Sequence, residues 1–388
     1  VTNSLFFIQK LLRALGFDSE IFAVNIPRSL SDRVRPYQGL EQCEQARTLL
    51  LHHHSMGHDL AGWIDGLALR RALVYHNITP AEFFAPDSDN RHYAELGREQ
   101  VRQWRDSFAA VLAVSEYNAD DLVSLGYARD AIRVIPLLVD SDHLVDSGNR
   151  VDDDNRADSD NRVDATTLSG SLATLVHPAL EFRPALSFVG RIVENKRQHS
   201  LLEMIWYLHR MLGNVPEDRK PMLVLAGGGE TSAYGRFLWQ RMHQLHLDDS
   251  VVICGKVDDA TRQALYRQSA AFVCASAHEG FGMPLVEAMA ADCPVVAIDK
   301  ANTAHTLGEG GLILGKDDPA AMAAAVALLL QDESLRQAVL EGQHRALARY
   351  EPGRLRDELR DWLDTSLGIR ADVTGDAGKD IDPCARMK

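Results

Sequence analysis

Long apolar runs are what this 388-residue chain lacks most plainly. None approaches the roughly 20 consecutive apolar residues of a membrane span. The longest candidate, AAMAAAVALLL at 320–330, is alanine-rich and reads as a packed helix. Cysteine is scarce too. Cys43, Cys254, Cys274, Cys293 and Cys384 show no paired metal-ligand spacing, and three of them lie in apolar strand-like runs. That is the pattern of buried thiols in a reducing cytoplasm, so a cytoplasmic location, with contact at the inner face of a membrane as an option, is expected. Positive charge is short as well: 41 Lys and Arg against 55 Asp and Glu leave a net charge of −14, which disfavours broad nucleic-acid binding. An apolar share of 46% still supplies real cores. The length leaves room for about two domains of 100–200 residues each.

The acidic excess is unevenly placed. Residues 141–170 hold eight Asp against three Arg, and within them NRVDDD, NRADSD and NRVDAT start at Asn149, Asn155 and Asn161. A six-residue repeat without apolar periodicity reads as a disordered linker or insertion. Asp158-Ser159-Asp160 matches an Asp-x-Asp metal signature, but it has neither adjoining strands nor a glycine-containing calcium loop, so no metal is expected there. By contrast, residues 1–140 carry 14 basic and 18 acidic side chains and show no strong anionic-lipid patch.

Outside the repeat, apolar strand-like runs alternate with helical ones. Residues 3–16 predict an amphipathic helix with Leu5, Ile8, Leu12 and Leu15 on one side, and strands are expected at SEIFAVN, RTLLLHH, RALVYHN, AAVLAVS and IRVIPLL. Such alternation argues for α/β architecture with parallel sheets, in which ligands bind beyond the carboxyl ends of the strands. Phe6, Phe7, Arg33 and Arg35 are candidates for touching a membrane surface, although core packing explains the phenylalanines equally well.

In the second half, AFVCAS at 271–276 reads as a strand and is followed by EGFGMPLVE at 279–287. Pro284 suits the first turn of a helix, which places Glu279 in a loop and Glu287 on that helix. Gly280 and Gly282 allow the backbone to approach a hydroxyl-rich ligand closely. The plain alternative makes both glutamates surface residues. SFVGR ends a strand at Gly190, with Arg191 and, five residues on, Lys196 positioned to meet a diphosphate. LVLAGGGE, with Gly227 and Gly228, and VVICGKV, ending at Val257, repeat the pattern of strand then glycine.

Taken in order, SFVGRIVENK, LVLAGGG, ICGKVDDATRQALYRQSAAFV, SAHEGFGMPLVEAMA and PVVAID resemble the GT-B glycosyltransferases of the retaining, family-4 type over about residues 184–315. The resemblance implies two Rossmann-like, doubly wound domains facing a cleft. Their expected bounds are an N-terminal domain at 1–140, an acidic linker at 141–183, a nucleotide-sugar domain at 184–350, a helix at 351–369 crossing back to the first domain, and a loose tail at 370–388. It further implies that Arg191 and Lys196 bind the donor diphosphate, that Glu279 meets the sugar and that Glu287 hydrogen-bonds the ribose. The backbone of Gly280, Phe281 and Gly282 would hold hydroxyls or phosphate, with Gly190, Gly227, Gly228 and Val257 completing the donor side. No metal or other cofactor is implied.

Two histidine-bearing segments end strands in the first half, LLLHHHSMGHD and ALVYHNITP. A histidine in this position faces the donor sugar in the family, and His76 is the first match; His54, with Ser55 and Asn77, is the acceptor-side candidate. His52 and His53 read as alternating across their strand, and a metal cluster among these histidines would lack an acidic or cysteine complement. Members of the family open with a strand and a glycine-rich loop, whereas VTNSLFF looks like the helix that follows that loop, so either the sequence is truncated there or the first strand is absent. His305 stands where members commonly carry a glutamate.

The activity implied is transfer of a hexose, with mannose from GDP-mannose as first choice, to a glycan or lipid-linked oligosaccharide in surface-polysaccharide synthesis, with retention of anomeric configuration. A sugar-nucleotide epimerase and an inert sugar-nucleotide-binding subunit are the alternatives. Oligomeric state is not legible.

Overall fold

The computed structural model describes residues 2–136 and 171–370. The acidic repeat, with Asp158 and Asp160, lies outside them, as do Cys384 and the expected tail. The described residues fall into two compact units: residues up to 136 together with those from 349 onward, and residues 171–348.

The first unit opens with α1 (Thr2–Ala14), followed by a short parallel pair, β1 (Ile21–Ala23) and β2 (Val34–Pro36). A four-stranded parallel sheet comes next. It is built from β3 (Leu49–His54), β4 (Arg70–Tyr75), β5 (Ala110–Ala113) and β6 (Ile132–Val134), paired in that order, with α2 (Ala61–Gly66), α3 (Asp89–Gln103) and α4 (Glu116–Ser124) in the connections. Strand β4 is covered on both faces, which is why Ala72, Leu73, Val74 and Tyr75 form an unbroken apolar run. The helices start where the chain supplies a cap: the Ser88 hydroxyl accepts from Arg91 N–H and the Ser115 hydroxyl from Asn118 N–H.

Three expectations need correcting here. The buried stripe of α1 is Ser4, Phe7, Ile8, Leu11 and Leu15, whereas Leu5 and Leu12 are only half-buried. Phe7 is 1% exposed, so it belongs to the core and is removed from any membrane-facing set. Of its companions, Phe6 carries the Arg33 guanidinium 3.9 Å above its ring, and Arg35 pairs with Glu20. Strand β2 was not expected at all.

The second unit begins inside the segment assigned to the linker, which is the third correction. α5 (Leu172–Leu175) and a 3-10 turn at Pro178–Glu181 are ordered, and Leu172 packs with Ala185, Val224, Ala264 and Leu265, so core packing resumes at 171 rather than 184. Then come β7 (Ala185–Val189), α6 (Gln198–Met211), β8 (Met222–Ala226), α7 (Ala233–Gln244), β9 (Val251–Gly255), α8 (Asp259–Gln268), β10 (Ala271–Cys274), α9 (Met283–Ala290), β11 (Val295–Ile298), α10 (Thr303–Leu307), β12 (Leu312–Leu314), α11 (Pro319–Gln331) and α12 (Glu333–Leu347). All six strands are parallel in the order β12-β11-β10-β7-β8-β9. The chain winds outward from β7 in one direction and returns beside it at β10 to wind in the other. The carboxyl ends of β7 and β10 therefore flank the switch point, where a doubly wound sheet leaves a crevice.

Helix α13 (Pro352–Leu367) belongs to the first unit and packs on α1, burying Leu355, Leu359, Trp362 and Leu367. Among the described residues no helix is long and apolar enough to cross a membrane. The thiols of Cys254, Cys274 and Cys293 are pushed up by burial, to about 11, 11 and 12, which makes them inert packing groups.

Candidate donor site in the C-terminal unit

Two loops leave the switch point and are pinned together: Ala277 N–H, after β10, donates to the Asn195 carbonyl, after β7, at 2.8 Å. That bond aligns the side chains beyond it. Lys196 Nζ lies 2.6 Å from Glu279 Oε1, with the side chains 18% and 11% exposed, and Glu279 as a whole is 9% exposed. The surface alternative for Glu279 is thereby excluded. A half-buried ammonium beside a buried carboxylate at a strand-end crevice provides one group that attracts anions and one that accepts from hydroxyls. Arg191, at the same strand end, is exposed.

The loop that carries Glu279 is shaped by glycine. Gly282 sits at φ 86° as the residue before α9, and Pro284 occupies the first turn, since a positive φ is strained for residues with a Cβ. Its approach is fixed from α10. The Phe281 carbonyl accepts from Asn302 Nδ2 at 3.3 Å and from the Thr306 hydroxyl, and Asn302 N–H donates to the Glu279 carbonyl at 3.3 Å. Glu287, one turn into α9, accepts from the Tyr266 hydroxyl at 2.7 Å. Burial first and the Glu287 charge second hold the Tyr266 phenol well above its usual range, so Tyr266 stays a donor. His305, on α10, is exposed.

Close backbone contact explains Gly227. Its φ is 150°, and a Cβ there would lie 1.9 Å from the Gly190 carbonyl oxygen. Gly190 N–H donates to Ala226 O at 2.9 Å, so the ends of β7 and β8 touch directly. Gly228, by contrast, has open space where a side chain would go, and Val257 packs against the core beneath the strand ends. Tyr266, Asn302 and Thr306 carried no spacing signal in the sequence; only the fold brings them to the glutamate loop.

In the N-terminal unit the histidines separate by strand face, as alternation requires. His53 Nδ1 and His76 Nε2 meet at 2.8 Å with rings stacked 5.0 Å apart. His52 and His54 point the other way, both with ring centroids 5.1 Å from Trp104. His54 is 1% exposed, which corrects its assignment as an acceptor-side residue, because a side chain packed under Trp104 is out of reach of any acceptor. Asn77, at φ 70°, donates to Asp121 Oδ2 at 3.3 Å. Asp121 also accepts from Tyr75 Oη at 2.5 Å and from Arg98 at 2.9 Å. The partner groups lie up to 46 positions apart in sequence, so no local pattern announced this network. Ser55 is half-buried in the loop after β3.

Burial keeps these histidines neutral: His53 is lowered to about 3, His54 to about 4, and His52 and His76 well below 6.5. An unfolded histidine takes up its proton near pH 6.5, whereas folded His53 and His54 resist until about pH 3–4, and His52 and His76 until well below 6.5. Stability is therefore complete above pH 6.5 and falls as pH drops through that window. The expected slope is up to about 1.4 kcal/mol per pH unit for each such histidine. Thermal melts between pH 7 and pH 4 check this. A His53→Gln variant should melt with a shallower pH dependence, and an unchanged slope would refute the assignment.

Comparison with known proteins bears on the family and the fold. Residues 177–343 match the family model described as glycosyl transferases group 1, and residues 8–143 match that of glycosyltransferase family 4. The chain is 24% identical over 271 residues to O-antigen chain mannosyltransferase B of Escherichia coli, covering 69% of this chain and 63% of that protein. It is 36% identical over 132 residues to the phosphatidyl-myo-inositol mannosyltransferase of Mycolicibacterium smegmatis, covering 32% of this chain and 34% of the relative. It thus spans less than two thirds of the length of either. The fold superposes with a TM-score of 0.59 at 17% identity on the crystal structure of Anabaena HepE in complex with UDP and glucose, covering 92% of this chain and 81% of that one. With its two matched models lying side by side along the chain, and with a doubly wound parallel sheet in its second unit, this protein belongs to the GT-B glycosyltransferases of the family-4 type.

Proposed function

We propose that this chain transfers a hexose from a nucleotide-diphosphate donor to a glycan or lipid-linked oligosaccharide acceptor, with retention at the anomeric carbon. The observation that carries the reading is the Lys196–Glu279 pair at the carboxyl ends of β7 and β10. Mannose from GDP-mannose is the preferred donor, supported by mannosyltransferases among the relatives.

The chemistry follows from the charges. Breaking the sugar–phosphate bond builds negative charge on the leaving diphosphate, which the Lys196 ammonium and Arg191 guanidinium would offset as it grows. Glu279 accepts from sugar hydroxyls and orients the ring. Glu287, held by Tyr266, accepts from the ribose. Since Glu287 is occupied with the nucleotide, no second carboxylate is assigned to the anomeric carbon, where a covalent retaining mechanism needs one about 5–5.5 Å from its acid partner. A front-face route remains, in which the departing phosphate oxygen takes the acceptor proton. His76, neutral and pinned by His53, is the N-terminal candidate for contacting the sugar, and transfer is expected without an added divalent ion.

A panel of radiolabelled GDP- and UDP-hexoses, incubated with and without a lipid-linked oligosaccharide, tests the reading. Label should move to the acceptor with α configuration retained from an α-linked donor. Epimerised donor without transfer, or binding without turnover, would replace it with one of the other two readings. A glycosyl adduct on Glu279 would overturn the front-face route alone.

A further inference from the structure

We propose that the N-terminal unit carries a three-histidine site for a divalent transition metal of the zinc class, formed by His52, His54 and His58. One ring nitrogen from each of the three lies within 4.8 Å of the other two. A tetrahedral ion bound at about 2.0–2.1 Å needs those nitrogens roughly 3.4 Å apart, and ring rotations close that difference.

What points to a ligand is a set of orphaned atoms. His52 Nε2, His54 Nδ1 and His58 Nε2 are all buried with no hydrogen-bond partner, and leaving buried polar nitrogens unsatisfied is costly. A metal ion satisfies all three together. For His54 the tautomer is already correct. Its Nε2–H donates to the Gly97 carbonyl at 3.2 Å, which leaves the Nδ1 lone pair facing the cluster. A carbonyl holding the far nitrogen of a metal-bound histidine is the common means of orienting such a ligand.

The scaffold brings the three side chains together beforehand. His52 and His54 share one face of β3, and the loop to His58 is clamped onto α3. Gly57 N–H donates to Tyr93 O at 2.9 Å, and a Cβ on Gly57 would lie 2.5 Å from Gly97 N. Gln100 then grips His58 from both sides, its Nε2 donating to His58 O at 2.6 Å and its Oε1 accepting from His58 N–H at 3.2 Å. Trp104 packs within 6.0 Å of all three rings. One bond is exchanged on binding: His58 Nδ1 accepts from Leu60 N–H at 3.2 Å and must take the proton when Nε2 turns to the ion. His58 is half-buried, so water can reach a fourth coordination position. Neutral imidazoles without thiolates favour zinc and its neighbours over hard cations.

The test is titration of the chelator-stripped full chain with Co2+ and then Zn2+. The expected result is one Co2+ per chain, with visible absorption bands of tetrahedral cobalt that Zn2+ abolishes, and a thermal midpoint that rises with Zn2+. His58→Ala, on the half-buried side, should weaken binding at least 10-fold while the circular dichroism is retained. His53→Asn, on the opposite strand face, should leave binding intact. Lack of stoichiometric Co2+ binding by the wild-type chain overturns the proposal, and so does full binding by folded His52→Ala, His54→Ala or His58→Ala.

Discussion

Replacing Lys196 by alanine should lower kcat/KM for sugar transfer by about 10²–10³-fold, the usual consequence of removing one positioned group that meets charge developing in the transition state. The same change has a second effect that could be mistaken for the first. Glu279 loses a cation 2.6 Å away, and removing one member of a buried pair costs about 3–5 kcal/mol because the other is left uncompensated. A double substitution separates the two effects. Lys196→Ala with Glu279→Gln removes the stranded charge, so the melting temperature should recover most of its loss while transfer stays at least 10²-fold down. If transfer recovered along with stability, Lys196 would be a structural partner of Glu279 and not a group that meets the leaving diphosphate.

The second large effect is expected at Gly227. An alanine methyl there would lie 1.9 Å from one backbone carbonyl atom of Gly190 and 2.5 Å from another, at a φ of 150° that side-chain-bearing residues avoid. Backbone cannot rotate away as a flexible side chain can. The ends of β7 and β8 would have to separate, and a loss of more than about 4 kcal/mol follows. Gly228→Ala is the matched control, since nothing lies within 4 Å of its added methyl. Stability should change by less than about 0.5 kcal/mol. Donor KM should nevertheless rise if a phosphate approaches that open backbone. Urea unfolding measures the first quantity and donor titration the second; a stable Gly227→Ala protein would contradict the close approach of the two strand ends.

Much of the fold was legible because parallel strands covered on both faces appear as unbroken apolar runs. Val224 and Leu225 of β8, Phe272 and Val273 of β10, and Leu73 and Val74 of β4 are all essentially unexposed, and each lies where a strand was expected. Strand β2 escaped because three residues, VRP, ending in proline and with two of the three exposed, carry no periodic signal. The face of α1 was misjudged for a different reason. Stripes through Leu5 and Leu12 or through Phe7 and Leu11 share Ile8 and Leu15 and are equally amphipathic, and the fold buries the second. In the candidate site, Lys196 was visible because a glycine-ended strand precedes its loop, and Glu279 because Gly280, Gly282 and Pro284 follow it between a strand and a helix. The fate of His54 was not visible, since alternation separates it from His53 but does not say which face receives Trp104. That answer comes from a residue 50 positions downstream.

Helix α13 has a consequence for how the chain is made. Its buried Leu359 and Trp362 complete a unit whose first part lies before position 137, with residues 171–348 forming a body of their own in between. As the polypeptide leaves the ribosome, the intervening body has all its strands available before α13 has been translated, although it starts second. Vectorial synthesis ordinarily favours the N-terminal domain folding first. Here the part of α1 that packs on α13 gains that cover only once the helix from the other end of the described chain has been made.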